Sequence, residues 1–127
     1  LSADEVMLLQ RLKTGALFEF SCEAGAILGQ AGSEDRDRLK SFARDFGLAF
    51  QITDDLLDVT STAEKAGKAV GKDSDRGKAT LISIYGLDGA KAQAEKLVRR
   101  ARETLSVYGD KAAELQALAD YLLSRDS

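Results

Sequence analysis

The chain has 127 residues and a mass of 13.6 kDa, enough for one domain or part of one. Apolar residues make up 44% and charged residues 31%, a mixture that excludes a disordered chain, and no run approaches the roughly 18 apolar residues of a membrane span. The formal charge of −3 argues against a nucleic-acid surface, the lack of histidine excludes imidazole as a base or metal ligand, and a lone cysteine excludes an internal disulfide.

The predicted elements are all helical. Proline is absent, alanine and leucine are frequent, and no stretch alternates as a strand would. Ser2 and Glu5 have the spacing of a capping box. A helical pattern follows through Val6, Leu9, Leu12, Leu17, Cys22, Ala26 and Ile27, with Gly15 inside it as a bend or a close helix contact. Cys22 reads as a packed, inert thiol. Residues 29–32 end the segment. Ser33 is expected to cap the next helix, with Glu34 and Asp35 favouring its first turn. Its apolar stripe is Leu39, Phe42, Phe46, Ala49, Phe50, Thr53 and Leu57, which predicts a long bundle helix stopping near Thr60.

Residues 61–79 break the pattern. Ser61 and Glu64 could cap a short helical turn, but Gly67, Gly71 and Gly77 alternate with Lys68, Lys72 and Lys78, which predicts a loop. A short apolar helix is expected over 80–85, ending at Gly86. Asp88 would cap a helix reaching Val107, and Gly109 with Asp110 would turn the chain into a last helix ending near Leu123. The segment 1–5 lacks the basic and apolar regions of a signal peptide. Together with the cysteine usage this predicts a reducing, cytoplasmic setting, and a first residue other than methionine is expected of a processed or cut chain.

The chemistry concentrates in Gln51, Asp54, Asp55 and Asp58. Asp54 and Asp58 are four residues apart and share a helix face, with Asp55 about a quarter turn away. Like charges at this spacing cost about 0.2–0.5 kcal/mol, and the negative end of the helix dipole adds to the cost. A cation would offset it. A few single-oxygen carboxylate ligands suit magnesium, which keeps some waters and completes its shell with substrate phosphates. Lys68, Lys72 and Lys78, with Lys13 (followed by Thr14) from a neighbouring helix, supply the cations that a diphosphate needs. The residues alone therefore suggest a magnesium diphosphate site. The plain alternative is a solvated acidic helix face beside a solvated basic loop. Neither GxxxxGK[ST] nor GxGxxG is present, so a nucleotide fold has no support.

Lys13-Thr14-Gly15-Ala16-Leu17-Phe18, Gly25-Ala26, Gly47-Leu48-Ala49-Phe50-Gln51-Ile52, Asp54-Asp55-Leu56-Leu57-Asp58, Gly67-Lys68 and Gly77-Lys78-Ala79-Thr80 follow one another in an order that is specific where each piece is weak. In that order the chain resembles the C-terminal half of a short-chain trans-isoprenyl diphosphate synthase, over essentially its whole length. The resemblance implies an all-α fold, the C-terminal part of a single polyprenyl synthase domain around a deep cavity, and a homodimer when intact. It implies magnesium-dependent condensation of isopentenyl diphosphate onto an allylic diphosphate, dimethylallyl or geranyl, with farnesyl diphosphate the preferred product and geranyl or geranylgeranyl diphosphate the alternatives. Carried over residue by residue, Asp54 is a direct magnesium ligand, Asp55 and Asp58 complete its motif, and Lys13 and Lys68 hold the allylic diphosphate. Thr14 and Gln51 border the allylic group. Lys78 matches a basic residue near a closing loop, and Lys72 has no counterpart and reads as surface.

The family's first aspartate-rich motif and its N-terminal isopentenyl diphosphate ligands have no match here, and its members are expected to be about twice as long. The chain is therefore expected to be the second half of an enzyme and inactive alone. A terpene cyclase shares the helical architecture, but the Lys-Thr, Phe-Gln and Gly-Lys pieces argue against it. A noncatalytic synthase subunit has no need of the intact acidic and basic set.

Overall fold

The computed structural model describes residues 2–66 and 81–125, without the side chains of residues 10, 13, 17, 20, 28 and 61–66. Among the described residues every regular element is helical. α1 (Ala3–Gln10) starts at the capping box: the Ser2 N–H donates to Glu5 Oε2 at 2.8 Å, and the Glu5 N–H donates to Ser2 Oγ at 3.2 Å. The chain then winds through a five-residue π segment (Arg11–Gly15) into α2 (Ala16–Leu28) with no loss of helical backbone at Arg11 or Gly15. The first 28 residues thus make one rod with a π turn inside it. Its end is the glycine-flanked turn expected from the sequence, where Gln30 takes a positive φ of 58°.

α3 (Ser33–Ala66) runs back antiparallel to that rod. Its first helical bond joins the Arg36 N–H to the Gly32 carbonyl at 3.0 Å, so Gly32 stands at the cap position and Ser33 is the first helical residue, one place earlier than expected. The far end also differs. The helix continues past Thr60 to Ala66, because alanine, glutamate and lysine sustain it and the first glycine is Gly67. Ser61 and Glu64 therefore lie within the helix and do not open a new turn. The rest of the expected loop, residues 67–79, and Thr80 at the start of the next expected helix lie outside the described residues.

α4 (Leu81–Leu105) contains the expected break, since Gly86 has φ 76° and ψ 176°. Its second piece ends at Leu105, two residues short of Val107. A 3₁₀ segment (Ser106–Ala112) with Gly109 at φ 56° leads into α5 (Ala113–Ser124). That positive φ is the reason a glycine sits at this corner.

α3 is the central helix and packs on α1, the π segment, α2, α4 and α5. Phe42, Phe46, Ala49 and Thr53 of the expected stripe are buried, and Leu39 is partly buried against the core. Leu48, Ile52 and Asp45 are buried too, so α3 is covered around much of its circumference and the expected stripe was too narrow. Asp45 can be buried because Arg100 of α4 donates to both its oxygens, at 2.6 and 3.2 Å. No helix among the described residues is long and apolar enough to cross a membrane.

Candidate magnesium diphosphate site

The site begins where the π turn meets α3. A Cβ built on Gly47 would lie 3.2 Å from the Gly15 Cα and 3.2 Å from Phe18 Cδ2, so the two glycines allow the rod and α3 to approach backbone to backbone. Gly15 is therefore a close contact, one of the two readings its position allowed. Phe18 packs edge-on against Phe46 at 5.0 Å and tilted against Phe50 at 5.5 Å, which fixes the rotation of α2 on α3. Glu19 reaches Arg44 across the same seam at 2.9 Å.

This close approach brings Thr14 beside Gln51. Thr14 Oγ1 donates to Gln51 Oε1 at 2.8 Å, and Gln51 Nε2 donates to Asp55 Oδ1 at 3.2 Å. Gln51 uses both halves of its amide: one end receives the hydroxyl from the rod, and the other orients a carboxylate one turn along its own helix. Asp55 is buried, while Asp54 and Asp58 are exposed. The acidic triplet is thus divided by its position around the helix. Two carboxylates reach solvent on a shared face, and the third is held inward by Gln51.

The set suits magnesium by its chemistry: only oxygen donors, two on a common exposed face, and a third whose direction is set by an amide. Among the described residues no three acidic or thiol groups converge into a cluster that could hold a metal by themselves. A cation at Asp54 and Asp58 would need further oxygen ligands from phosphate and water. The basic half lies mostly out of view. Lys68, Lys72 and Lys78 fall outside the described residues, and Lys13 is placed only by its backbone, in the π turn next to Thr14. Cys22 is half-buried, and burial pushes its thiol above the ordinary cysteine range, in keeping with a packed, unreactive group.

Two features have weak sequence signals. The π turn over Arg11–Gly15 could be suspected only from Gly15. Arg125 carries no motif, yet its guanidinium reaches α3 from the end of α5. Its Nη2 donates to the Phe50 carbonyl at 3.2 Å and to Thr53 Oγ1 at 2.9 Å.

The profile of the polyprenyl synthetase family matches residues 1–120. The chain belongs to that family. Among curated relatives, this polyprenyl synthetase chain is 44% identical to a geranylgeranyl diphosphate synthase of Cyanophora paradoxa, over 91% of the chain and 38% of the relative. It is 46% identical to a dimethylallyltranstransferase of Fischerella ambigua, over 89% of the chain and 33% of the relative. Among solved structures, an FPP/GFPP synthase from Zymomonas mobilis superposes with a TM-score of 0.80 at 47% identity, covering 96% of this chain and 39% of that one. The polyprenyl synthetase chain therefore has the all-α fold of these enzymes. It spans between a third and two fifths of their length, so the relatives are well over twice as long, more than the factor expected.

Proposed function

We propose that this chain is the C-terminal part of a magnesium-dependent trans-prenyl diphosphate synthase, the part that carries the second acidic motif. The reading is supported most by one arrangement: Thr14, Gln51 and Asp55 form a hydrogen-bonded chain across two helices, beside the exposed Asp54 and Asp58. Asp54 is a direct ligand of the metal, with Asp58 and Asp55 completing the motif. Lys13 and Lys68 hold the allylic diphosphate, and Lys78 lies near it. Thr14 and Gln51 border the allylic group. Magnesium held there would offset the negative charge that grows on the departing diphosphate. The protein's own part is to hold the carboxylates and ammonium groups in place before that charge develops, so that little reorganisation is needed at the moment of ionisation.

The substrates in this reading are isopentenyl diphosphate and dimethylallyl or geranyl diphosphate, and the complete enzyme is a cytoplasmic homodimer. Farnesyl diphosphate is the product. A geranylgeranyl product is the second reading, favoured by the name of the Cyanophora relative. Chromatography of the products made by the full-length gene product, with magnesium and both substrates, separates the two. Absence of any prenyl diphosphate product would count against both readings. A cyclic hydrocarbon formed with release of the diphosphate would instead point to a cyclase.

A further inference from the structure

The end of α5 is tied to the turn of α3 that carries the acidic motif. The backbone N–H of Arg125 caps α5 by donating to the Tyr121 carbonyl at 2.9 Å, after which Arg125 leaves the helix with extended backbone angles. Its side chain crosses to α3. Nη2 donates to the Phe50 carbonyl and to Thr53 Oγ1, and the guanidinium lies 4.7 Å from the centre of the Phe50 ring. Thr53 Oγ1 in turn donates to the Phe50 carbonyl at 3.1 Å. In an α-helix that carbonyl is also the acceptor of the N–H four residues on, which is Asp54. Three donors therefore meet at one oxygen, and one of them is the backbone of the residue read as the metal ligand.

The arrangement is not what stability alone would choose. Arg125 Nε is buried and has no hydrogen-bond partner among the described residues, a cost that an aliphatic side chain at this position would avoid. A cavity of about 360 Å³, bordered by Thr53, Leu57, Thr60, Leu122 and Arg125, adjoins it. What the guanidinium does make is a charge-assisted bond to a backbone carbonyl and a face-on contact with the Phe50 ring. Both act on the same residue, one turn before Asp54.

We propose that Arg125 is a positioning residue for the acidic motif: from the end of α5 it holds the Phe50 turn of α3, and through it the backbone of Asp54. The proposal rests on reading Asp54 as a magnesium ligand, but its local effect can be measured separately. Hydrogen exchange over residues 50–58 of the chain reads the turn directly, with residues 39–46 of the same helix as internal reference. Arg125→Gln should speed exchange over 50–58 about tenfold or more and leave 39–46 unchanged, in line with loss of one charge-assisted hydrogen bond. Arg125→Lys, which restores a charged donor but not the guanidinium over the Phe50 ring, should recover part of the protection. Added to Thr53→Val, Arg125→Gln should have a smaller effect than it has alone, because both act on one carbonyl. Arg102→Gln, which loses only an exposed ion pair with Asp120, is the control.

Exchange that rises equally along α3, or equally in the Arg102 control, would overturn the proposal. In the full-length gene product, Arg125→Gln should raise the magnesium needed for half-maximal turnover severalfold with less than twofold change in kcat. No magnesium-dependent turnover in the unmutated protein would overturn the reading of Asp54 and leave the exchange result to decide the role of Arg125.

Discussion

Gln51 can serve two partners because a primary amide has an acceptor at one end and donors at the other. Leucine has the volume but neither function. Gln51→Leu removes the acceptor of the Thr14 hydroxyl and one donor to Asp55, two part-buried bonds. The expected loss is about 1–2 kcal/mol, since a typical net hydrogen bond contributes about 1 kcal/mol and Gln51 is only half-buried. Urea denaturation should show a lower midpoint with an unchanged slope. A midpoint equal to that of the parent would mean that the chain contributes nothing to holding the rod on α3. At this scale the acidic residues were legible in the sequence, because the spacing of Asp54, Asp55 and Asp58 on a helix dictates which share a face. Which of them turns inward was not. That depends on where the rod lies, and the rod touches the Gln51 edge of α3.

Two helix contacts decide how the elements sit. At Gly47 an added methyl would meet the Phe18 ring and, equally near, the Cα of Gly15, backbone that cannot rotate aside. Gly47→Ala should separate the rod from α3, cost about 1–3 kcal/mol as overpacking does, and weaken the Thr14–Gln51 bond. Thermal unfolding reads the cost, and a lowered exchange protection at Thr14 reads the separation. An unshifted melting temperature would show that the seam is loose. At the other end of α3, Tyr108 of the 3₁₀ segment donates to Asp35 Oδ1 at 2.7 Å. Burial first, and then the bond to Asp35, raise the Tyr108 phenol above the ordinary tyrosine range. A raised folded-state value means that the neutral phenol is favoured by folding. Its contribution is complete below the unfolded value of about 10 and is lost as pH rises through the folded value. Tyr108→Phe should therefore lower stability by about 1 kcal/mol at neutral pH, a modest figure because the pair is part-exposed, and the difference from the parent should shrink in the alkaline range. Equilibrium unfolding of both proteins at pH 7 and above pH 10 checks the sign. A difference that grows with pH would be the wrong one.

The molecule as a whole ends on surfaces that a closed domain would bury. Leu8, Leu9 and Leu12 of the rod are exposed, as are Leu118, Tyr121 and Leu123 of α5. The polyprenyl synthetase relatives are well over twice as long, and among the described residues no further acidic groups join this motif to hold a metal. The 127-residue chain with magnesium, isopentenyl diphosphate and geranyl diphosphate is expected to turn over at least about a thousandfold more slowly than the full-length gene product, because loss of even one group that stabilises developing charge can cost that much. A radiolabelled condensation assay tests this, and comparable rates would show that the second motif suffices.

The sequence alone determined the helical class, the capping box, the breaks at Gly86 and Gly109, the acidic face of α3 and the resemblance to prenyl synthases. Each of these depends on residues near one another in the chain, whose periodicity, caps and glycines act locally. The tertiary structure decided the rest. The burial of Leu48 and Ile52 follows from α3 being covered on several sides, and one helix's periodicity does not report how many neighbours it has. The π turn, the Gly15–Gly47 contact and the Thr14–Gln51–Asp55 chain exist only once the rod and α3 are antiparallel and touching. Arg125 acts on Phe50 across 75 positions of sequence, and such a contact is set by how α5 packs rather than by any local pattern.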